Sequence, residues 1–176
     1  MPRFKLRKLI LSALFLALCM VLPFITGQVP QFGNMLSPMH IPVLLCGFVC
    51  GPLYAVVVGA IAPVLRFFLF GMPPLFPTGT AMAFELACYG AVSGILHRTF
   101  PRKYGFIYVS LVVSMLAGRL VWGAVQMVLL LATGGAFTFN MFLMGAFVNA
   151  WPGIILHILI IPPIVIALKR AKLISD

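Results

Sequence analysis

The basic residues of this chain are grouped, and long apolar segments with almost no charge separate the groups. Ten of the 12 lysines and arginines lie in three clusters. These are Arg3, Lys5, Arg7 and Lys8; Arg98, Arg102 and Lys103; and Lys169, Arg170 and Lys172. Lysine and arginine beside membrane spans collect on the cytoplasmic side. All three clusters are therefore expected on one side, which requires an even number of crossings between successive clusters.

The composition excludes a soluble domain. Of the 176 residues, 63% are hydrophobic and 8% are charged, whereas about a quarter of a soluble domain is charged. A net charge of +10 would indicate nucleic-acid binding in a soluble protein. Here the basic residues indicate topology and contacts with anionic lipid. We predict one all-α integral-membrane domain over residues 1–176, in contact with the lipid bilayer and without a nucleic-acid partner.

Six apolar segments give the even number of crossings that the three basic clusters require, and we call this requirement the charge rule. A transmembrane helix needs about 20 residues, or somewhat fewer where the bilayer thins. Residues 40–50 are short, but one helix over 40–70 would exceed the bilayer and give an odd number of crossings, so Gly51-Pro52 is predicted to separate two spans. The first segment is interpreted as a retained span and not as a cleaved signal peptide. The predicted spans are residues 9–26, 40–50, 53–70, 79–96, 104–131 and 141–168.

This arrangement places both termini in the cytoplasm and three loops on the outer side. The outer loops are residues 27–38, 71–78 and 133–140, and none of them contains a charged residue. Residues 71–78 hold three prolines, which excludes a regular helix there. The four cysteines all lie in apolar segments and are interpreted as small buried side chains. No metal site is predicted.

Three charged residues fall within the predicted spans: Arg66, Glu85 and Arg119. Each costs about 2.5–3.5 kcal/mol at mid-bilayer, so such residues face a cavity or one another. Arg66 lies one turn from the outer end of its span, where its side chain can reach the surface. Glu85 and Arg119 either pair internally or meet a ligand. If all three are ionised, one positive charge is left, which suits an anionic ligand such as a carboxylate.

Further polar and aromatic residues accompany these charges. Arg119, Trp122 and Gln126 follow the i, i+3, i+7 spacing of one helix face. Small-molecule sites combine apolar walls with a few convergent polar groups, and spans four to six fit that description. His157 is interpreted as a packing residue. The predicted substrate-binding residues within the spans are His40, Glu85, Arg119, Trp122, Gln126, Asn149 and Trp151.

Several motifs together resemble a known family. They are the Ala13-x-x-x-Ala17 pattern, the SPMHIPVLL sequence at residues 37–45 followed by Gly51-Pro52, the GMPPLFP sequence at 71–77, and Glu85-Leu86 with Tyr89-Gly90. With six spans and cytoplasmic termini, the chain resembles the S component of an energy-coupling factor (ECF) vitamin transporter. The resemblance covers essentially the whole chain. It is strongest to a subgroup assigned to pantothenate, pyridoxine-type vitamins or hydroxymethylpyrimidine.

The resemblance implies a substrate-binding subunit in a bacterial plasma membrane, not an enzyme. Its partners would be a transmembrane T component, contacted through Ala13 and Ala17, and two ABC ATPases. The chain itself would carry no cofactor; ATP would be used by the ATPases, and no G-x-x-x-x-G-K-[ST] sequence occurs here. Gln28 and Asn34 in the first outer loop would help to enclose the substrate. Delivery would occur by toppling of the whole subunit in the membrane.

The residues leave the vitamin open, and three other protein classes are alternatives to the family resemblance. Arg66 and Arg119 favour pantothenate, whose carboxylate needs a cation, whereas Glu85 with Trp122 suits a protonated heteroaromatic ring. A membrane enzyme needs a nucleophile–base pair or metal ligands, and one carboxylate with three dispersed histidines supplies neither. A haem anchor is disfavoured by the different depths of its histidines. A stand-alone secondary transporter would depend on Glu85 for proton coupling.

Overall fold

Seven α-helices make up most of the residues that the computed structural model describes, which are 2–25, 35–101 and 103–171. Gln28, Asn34, Arg102 and Lys172 lie outside the described residues. The helices are α1 (Pro2–Ile25), α2 (His40–Cys50), α3 (Pro52–Phe70), α4 (Thr80–Thr99), α5 (Gly105–Ala132), α6 (Phe139–Leu143) and α7 (Trp151–Arg170).

Five segments are long and apolar enough to cross a membrane: Lys5–Phe24, Pro52–Phe70, Leu75–Thr99, Gly105–Ala132 and Phe139–Arg170. The second predicted span, α2, has 11 residues, a length of about 16 Å. Nine of those residues are buried, so α2 lies inside the bundle. The all-helical fold is therefore confirmed with five membrane-length segments among the described residues, and the second predicted span is too short to cross a full bilayer by itself.

Helix α2 runs parallel to α4. At one end the rings of His40 and Tyr89 lie 5.2 Å apart, and at the other end the rings of Phe48 and His97 lie 5.1 Å apart. Residue numbers therefore increase in the same direction along both helices.

Helix α3 runs antiparallel to α4 and packs against it through small residues. At three glycine contacts a Cβ atom would come within 2.6 Å of the facing backbone, so nothing larger than glycine fits. Small residues of this kind let membrane helices approach closely. The chain therefore reverses between α2 and α3, as predicted from the charge rule. The contacts pair Gly59 with Leu86, Gly90 with Ala55, and Gly94 with Pro52.

Gly51 makes this reversal possible. Its φ of 96° and ψ of 175° are accessible essentially only to glycine. A Cβ atom at this position would also overlap the guanidinium of Arg98. Pro52 then begins α3, where its missing N–H has no intrahelical partner to lose. The Gly51-Pro52 pair thus ends one helix and begins the next in the opposite direction.

The described members of the three basic clusters lie at one end of the bundle. Arg98 is beside Gly51, and the Arg170 guanidinium lies 5.8 Å from the centre of the Tyr104 ring at the start of α5. The far end of α1 contacts the opposite end of the bundle, where the rings of Phe24 and Phe70 lie 4.9 Å apart. We call the end with the basic residues the inner end. That it faces the cytoplasm stays an expectation.

The predicted sixth span is not one regular helix. Residues Phe139–Leu143 form α6, Met144–Val148 form a π-helical turn, and α7 begins at Trp151. Pro152 explains the interruption, because it cannot donate the backbone hydrogen bond that a continuous helix requires. Proline is instead favoured in the first turn of a new helix. The predicted span over residues 141–168 is present within the membrane-length segment Phe139–Arg170, but it consists of two helices joined through a π-helical turn.

Candidate functional site

A buried carboxylate lies where α2, α4 and α5 meet. Glu85 is 1% exposed, and its Oε1 atom is the common partner of three side chains. Arg119 Nη1 lies 3.0 Å from Oε1, and His40 Nε2 lies 3.5 Å from it. The Tyr89 hydroxyl donates a hydrogen bond to the same atom at 2.9 Å. The predicted residues His40, Glu85 and Arg119 are therefore brought together, and Tyr89 joins them.

The helix geometry accounts for this convergence on α4 and α5. Glu85 and Tyr89 are four residues apart and so share one face of α4. Gly118 precedes Arg119 on α5, and a Cβ atom there would overlap Cε1 of Tyr89. The absence of a side chain at Gly118 lets the Tyr89 ring pack directly against the α5 backbone. Arg119 is thereby brought within reach of Glu85.

A sharp turn places His40 at the start of α2. Ser37 has φ of 46°, a left-handed conformation that is uncommon for residues other than glycine. Its carbonyl accepts a hydrogen bond from the His40 amide at 3.0 Å. The His40 ring then stacks with that of His157 on α7, with ring centres 6.0 Å apart and planes at 19°. Gly153, one turn before His157, packs against the carbonyls of Met35 and Leu36.

The cluster contains opposite charges and unfulfilled hydrogen-bonding capacity. Glu85 and Arg119 compensate each other, which offsets much of the cost of burying either charge alone. Nδ1 of His40, Nε2 of His157 and Oε1 of Gln126 are buried without a hydrogen-bond partner among the described residues, and His40 Nε2 has only its 3.5 Å contact with Glu85. Buried polar atoms are ordinarily bonded. Atoms left without partners in this way are suited to bind a polar ligand or ordered water.

Two of the predicted residues continue the Arg119 face of α5 toward the outer end. Trp122 is partly buried; its ring packs against Gly145 and lies 6.2 Å from the Phe137 ring. Gln126 lies one turn further out, about 10 Å from Arg119 along the helix axis. Both stay candidates for contact with a ligand that extends outward from Arg119.

The remaining predicted binding residues lie elsewhere or are not described. Asn149 is exposed, and Trp151 is 58% exposed at the start of α7. The structure does not bring either residue to Glu85. Gln28 and Asn34 lie outside the described residues. Their predicted roles stay predictions.

Arg66 has an internal partner and does not extend to the surface. It is 4% exposed, and its Nη1 atom donates a hydrogen bond of 2.7 Å to the Met20 carbonyl on α1. Its guanidinium also lies 5.3 Å from the Phe24 ring centre and 5.2 Å from that of Phe70. A cation near the C-terminal end of α1 is favoured by the helix dipole. Arg66 therefore ties α3 to α1, and the expectation that its side chain reaches the surface was wrong.

The sequence reasoning missed Tyr89 and His157 as members of the cluster. Tyr89 could have been found from its four-residue spacing to Glu85 on a helix. His157 could not, because its stacking on His40 depends on how α2 and α7 pack. Among the described residues, no group of three or more histidine, cysteine or acidic side chains could hold a metal ion.

Ala13 and Ala17, the predicted contacts of the T component, lie on the surface of α1. Both are exposed, whereas Ser12 and Phe15 on the opposite face are buried. The larger apolar residues Leu9 and Leu14 beside them are also exposed. The face is therefore free of internal packing in the described part of the chain.

Comparison with known proteins identifies the family. Residues 7–165 match the family described as ECF transporter, substrate-specific component. No curated protein and no solved structure matches the chain. The family match extends from the first basic cluster to the last turns of α7, and so includes every helix of the bundle. The chain therefore belongs to the family of substrate-specific components of ECF transporters.

Proposed function

We propose that this chain is the high-affinity substrate-binding subunit of an ECF importer for a water-soluble vitamin or vitamin precursor. The family supports a substrate-binding role beside a T component and ATPases. The buried cluster around Glu85 carries the proposal, because it concentrates charged and hydrogen-bonding groups inside an otherwise apolar helix bundle. Intramembrane groups of this kind usually mark a substrate path.

The substrate would approach the cluster from the outer end. Glu85 lies five residues from the start of α4, a depth of about 7 Å. The turn at Ser37 precedes His40 directly, and the 71–78 segment precedes α4. Both segments belong to predicted outer loops without charged residues. A substrate held between them would reach Arg119 and His40 first, with Trp122 and Gln126 along its side.

We propose pantothenate as the substrate. Its carboxylate matches Arg119, which at 9% is the most exposed member of the charged pair. A guanidinium has five N–H donors in a planar fork, so it can contact Glu85 and a substrate carboxylate together. Nδ1 of His40 and Nε2 of His157, which lack partners among the described residues, would meet the hydroxyl and amide groups of the same molecule.

A pyridoxine-type vitamin or hydroxymethylpyrimidine is the second candidate. Glu85 would accept a hydrogen bond from the protonated ring nitrogen, and Trp122 would stack on the ring. Oε1 of Glu85 already has Tyr89, Arg119 and His40 as neighbours. This crowding favours pantothenate over a cationic ring at Glu85.

Ligand identification tests the substrate. The purified protein would be analysed by mass spectrometry for a retained molecule, and pantothenate, pyridoxine and hydroxymethylpyrimidine would then be titrated by calorimetry. We expect pantothenate to bind, and Arg119→Gln to weaken binding by roughly a hundredfold, the effect of losing a charge-assisted pair. Tight binding of pyridoxine or hydroxymethylpyrimidine with no binding of pantothenate would contradict the assignment.

The partner contact has a separate test. In the proposed complex Ala13 and Ala17 pack closely against the T component, so Ala17→Leu should prevent co-purification with the T component and ATPases. Vitamin binding should be unchanged, because Ala17 is exposed and far from Glu85. Ala124→Leu, at an exposed alanine on α5, is the matched control. Equal co-purification of both variants would show that α1 is not the docking face.

A further inference from the structure

The charges of the Glu85 cluster balance before any substrate binds. Glu85 is the only acidic residue among those described, because Asp176 lies outside them. Its charge is compensated by Arg119, whose Nη1 atom lies 3.0 Å from Oε1. Both residues are 9% exposed or less, and buried charges are screened little by salt. An anionic substrate that binds here would therefore add a negative charge without a counter-ion.

Arg66 does not supply the missing positive charge. Its guanidinium donates a hydrogen bond to the Met20 carbonyl and lies within 5.3 Å of the ring centres of Phe24 and Phe70. These contacts hold the charge of Arg66 against the end of α1. The extra cation that the sequence places within the spans is therefore committed to packing between α1 and α3.

The shortage appears at Glu85 when a substrate carboxylate pairs with Arg119. The Arg119 guanidinium then divides its charge between two carboxylates, and Glu85 loses part of its compensation. A buried carboxylate that loses its partner is strongly destabilising. Tight binding of an anion therefore requires a second cation beside Glu85.

His40 is placed to become that cation. Its Nε2 atom lies 3.5 Å from Oε1 of Glu85, and its ring centre lies 5.2 Å from that of Tyr89. Histidine is the side chain that ordinarily changes its charge near neutral pH, and an imidazolium donates hydrogen bonds from both nitrogens. A proton needs no cavity, so the burial of His40, which is 2% exposed, is no obstacle to its arrival.

The neighbouring groups limit the uptake to one proton. The rings of His40 and His157 are stacked with their centres 6.0 Å apart, and two positive charges that close would repel each other. Of the two rings, His40 has the contact with the Glu85 carboxylate. The titratable or charged side chains that the helices packed around α2 bring to this outer half of the bundle are Cys19 on α1, Arg66 on α3, Glu85, Cys88 and Tyr89 on α4, Arg119 on α5 and His157 on α7.

We propose that the protein binds its anionic substrate together with one proton, which His40 accepts from the outer aqueous phase. This inference rests on the proposed function of the cluster. The substrate carboxylate pairs with Arg119, and protonated His40 pairs with Glu85, so the charges of the occupied site balance. The substrate has to reach only Arg119, the more exposed member of the pair. The proton compensates charge in the bound state, while ATP hydrolysis by the partner subunits remains the energy source for import.

Calorimetry in buffers of different ionisation enthalpy counts the protons that binding takes up. Pantothenate would be titrated into the purified protein at about pH 7.5, above the ordinary pKa of histidine, in phosphate, HEPES and Tris. We expect uptake of about one proton per pantothenate, and a Kd that rises by up to about tenfold per pH unit above neutrality, as linkage requires. Affinity should fall in that direction because the bound state holds the additional proton. Pantothenol, which has a hydroxyl in place of the carboxylate, should bind without proton uptake.

His40→Gln tests the proton acceptor, and His157→Gln, at the other ring of the stack, is the matched control. Proton uptake should disappear in His40→Gln, and the Kd should become independent of pH over the same range. His157→Gln should bind pantothenate more weakly but should still take up about one proton. The buffer series and the pantothenol comparison use the unaltered protein, so they do not depend on the folding of either variant.

Three results would each overturn the proposal: pantothenate binding without proton uptake, uptake that persists in His40→Gln, or the same uptake with pantothenol. Each of these would leave pantothenate as the substrate. No binding of pantothenate in any buffer would contradict the substrate assignment and this inference with it. The two failures are therefore distinguishable.

Discussion

At the scale of single residues, the charges within the membrane segments explain most of the candidate site. The cost of an intramembrane charge predicted that Glu85 and Arg119 would either pair or meet a ligand, and the structure places them 3.0 Å apart. The same argument from charge did not predict that His157 would stack on His40. Periodicity identifies residues that share a helix face, whereas contacts between helices depend on packing that a single sequence does not encode locally.

Removing one charge of the Glu85–Arg119 pair should destabilise the protein more than removing both charges. Glu85→Gln leaves a buried guanidinium without its counter-ion, so we expect a loss of about 3 kcal/mol in the free energy of unfolding. Thermal unfolding in detergent would measure it. The double variant Glu85→Gln with Arg119→Met should recover much of that stability but should not bind vitamin. Additive destabilisation in the double variant would show that the pair does not interact.

Gly118 should be intolerant of any side chain. In Gly118→Ala the new methyl group would overlap the Tyr89 ring, and overpacking of this kind costs about 1–3 kcal/mol, more than the gain in helix propensity. Unfolding temperature and vitamin affinity should both fall. Gly105→Ala, where no atom lies within 4 Å of the new Cβ, is the control and should retain both. Equal behaviour of the two variants would contradict the packing described for α4 and α5.

At the scale of helices, the charge rule and the Gly51-Pro52 pair predicted the reversal between α2 and α3. One helix over residues 40–70 would have exceeded the bilayer and given an odd number of crossings. The same reasoning predicted the sixth span but not the new helix that begins at Trp151 and Pro152 within it. Boundaries of the other spans agree with the helices to within a few residues, apart from α1, whose helix also includes the first basic cluster.

The reversal at Gly51 should depend on glycine for two reasons. Gly51→Ala would force an L side chain into φ of 96° and into the space of Arg98, so we expect a loss of more than about 2 kcal/mol. Gly71→Ala also has positive φ, at 72°, but meets no atom within 4 Å, and should cost about 1 kcal/mol. Chemical unfolding would compare them. A smaller loss for Gly51→Ala than for Gly71→Ala would contradict the tight hairpin.

At the scale of the whole molecule, charge is distributed very unevenly. The described basic cluster residues lie at the inner end, and the described parts of the outer loops contain no charged residue. A neutral outer end lowers the cost of moving that end through lipid. This asymmetry is consistent with delivery of the substrate by toppling of the subunit, which the family resemblance implies.

A charge on the outer end should therefore slow vitamin uptake more than it weakens vitamin binding. Phe76 is 51% exposed in the 71–78 segment, and Phe76→Lys adds a charge that costs about 2.5–3.5 kcal/mol at mid-bilayer. We expect uptake to fall at least tenfold while the vitamin Kd stays within about twofold of that of Phe76→Gln. The glutamine variant controls for loss of the aromatic ring. Equal losses of uptake and affinity would argue against toppling.

Uptake into proteoliposomes tests the central claim most directly. The chain would be reconstituted alone, or with a T component and two ABC ATPases, and the import of radiolabelled pantothenate would be followed with and without ATP. We expect accumulation only when the chain, its partners and ATP are all present, and none when the chain carries Arg119→Gln. Pantothenate uptake by the chain alone, independent of ATP and driven by a proton gradient, would identify a stand-alone transporter and contradict the account.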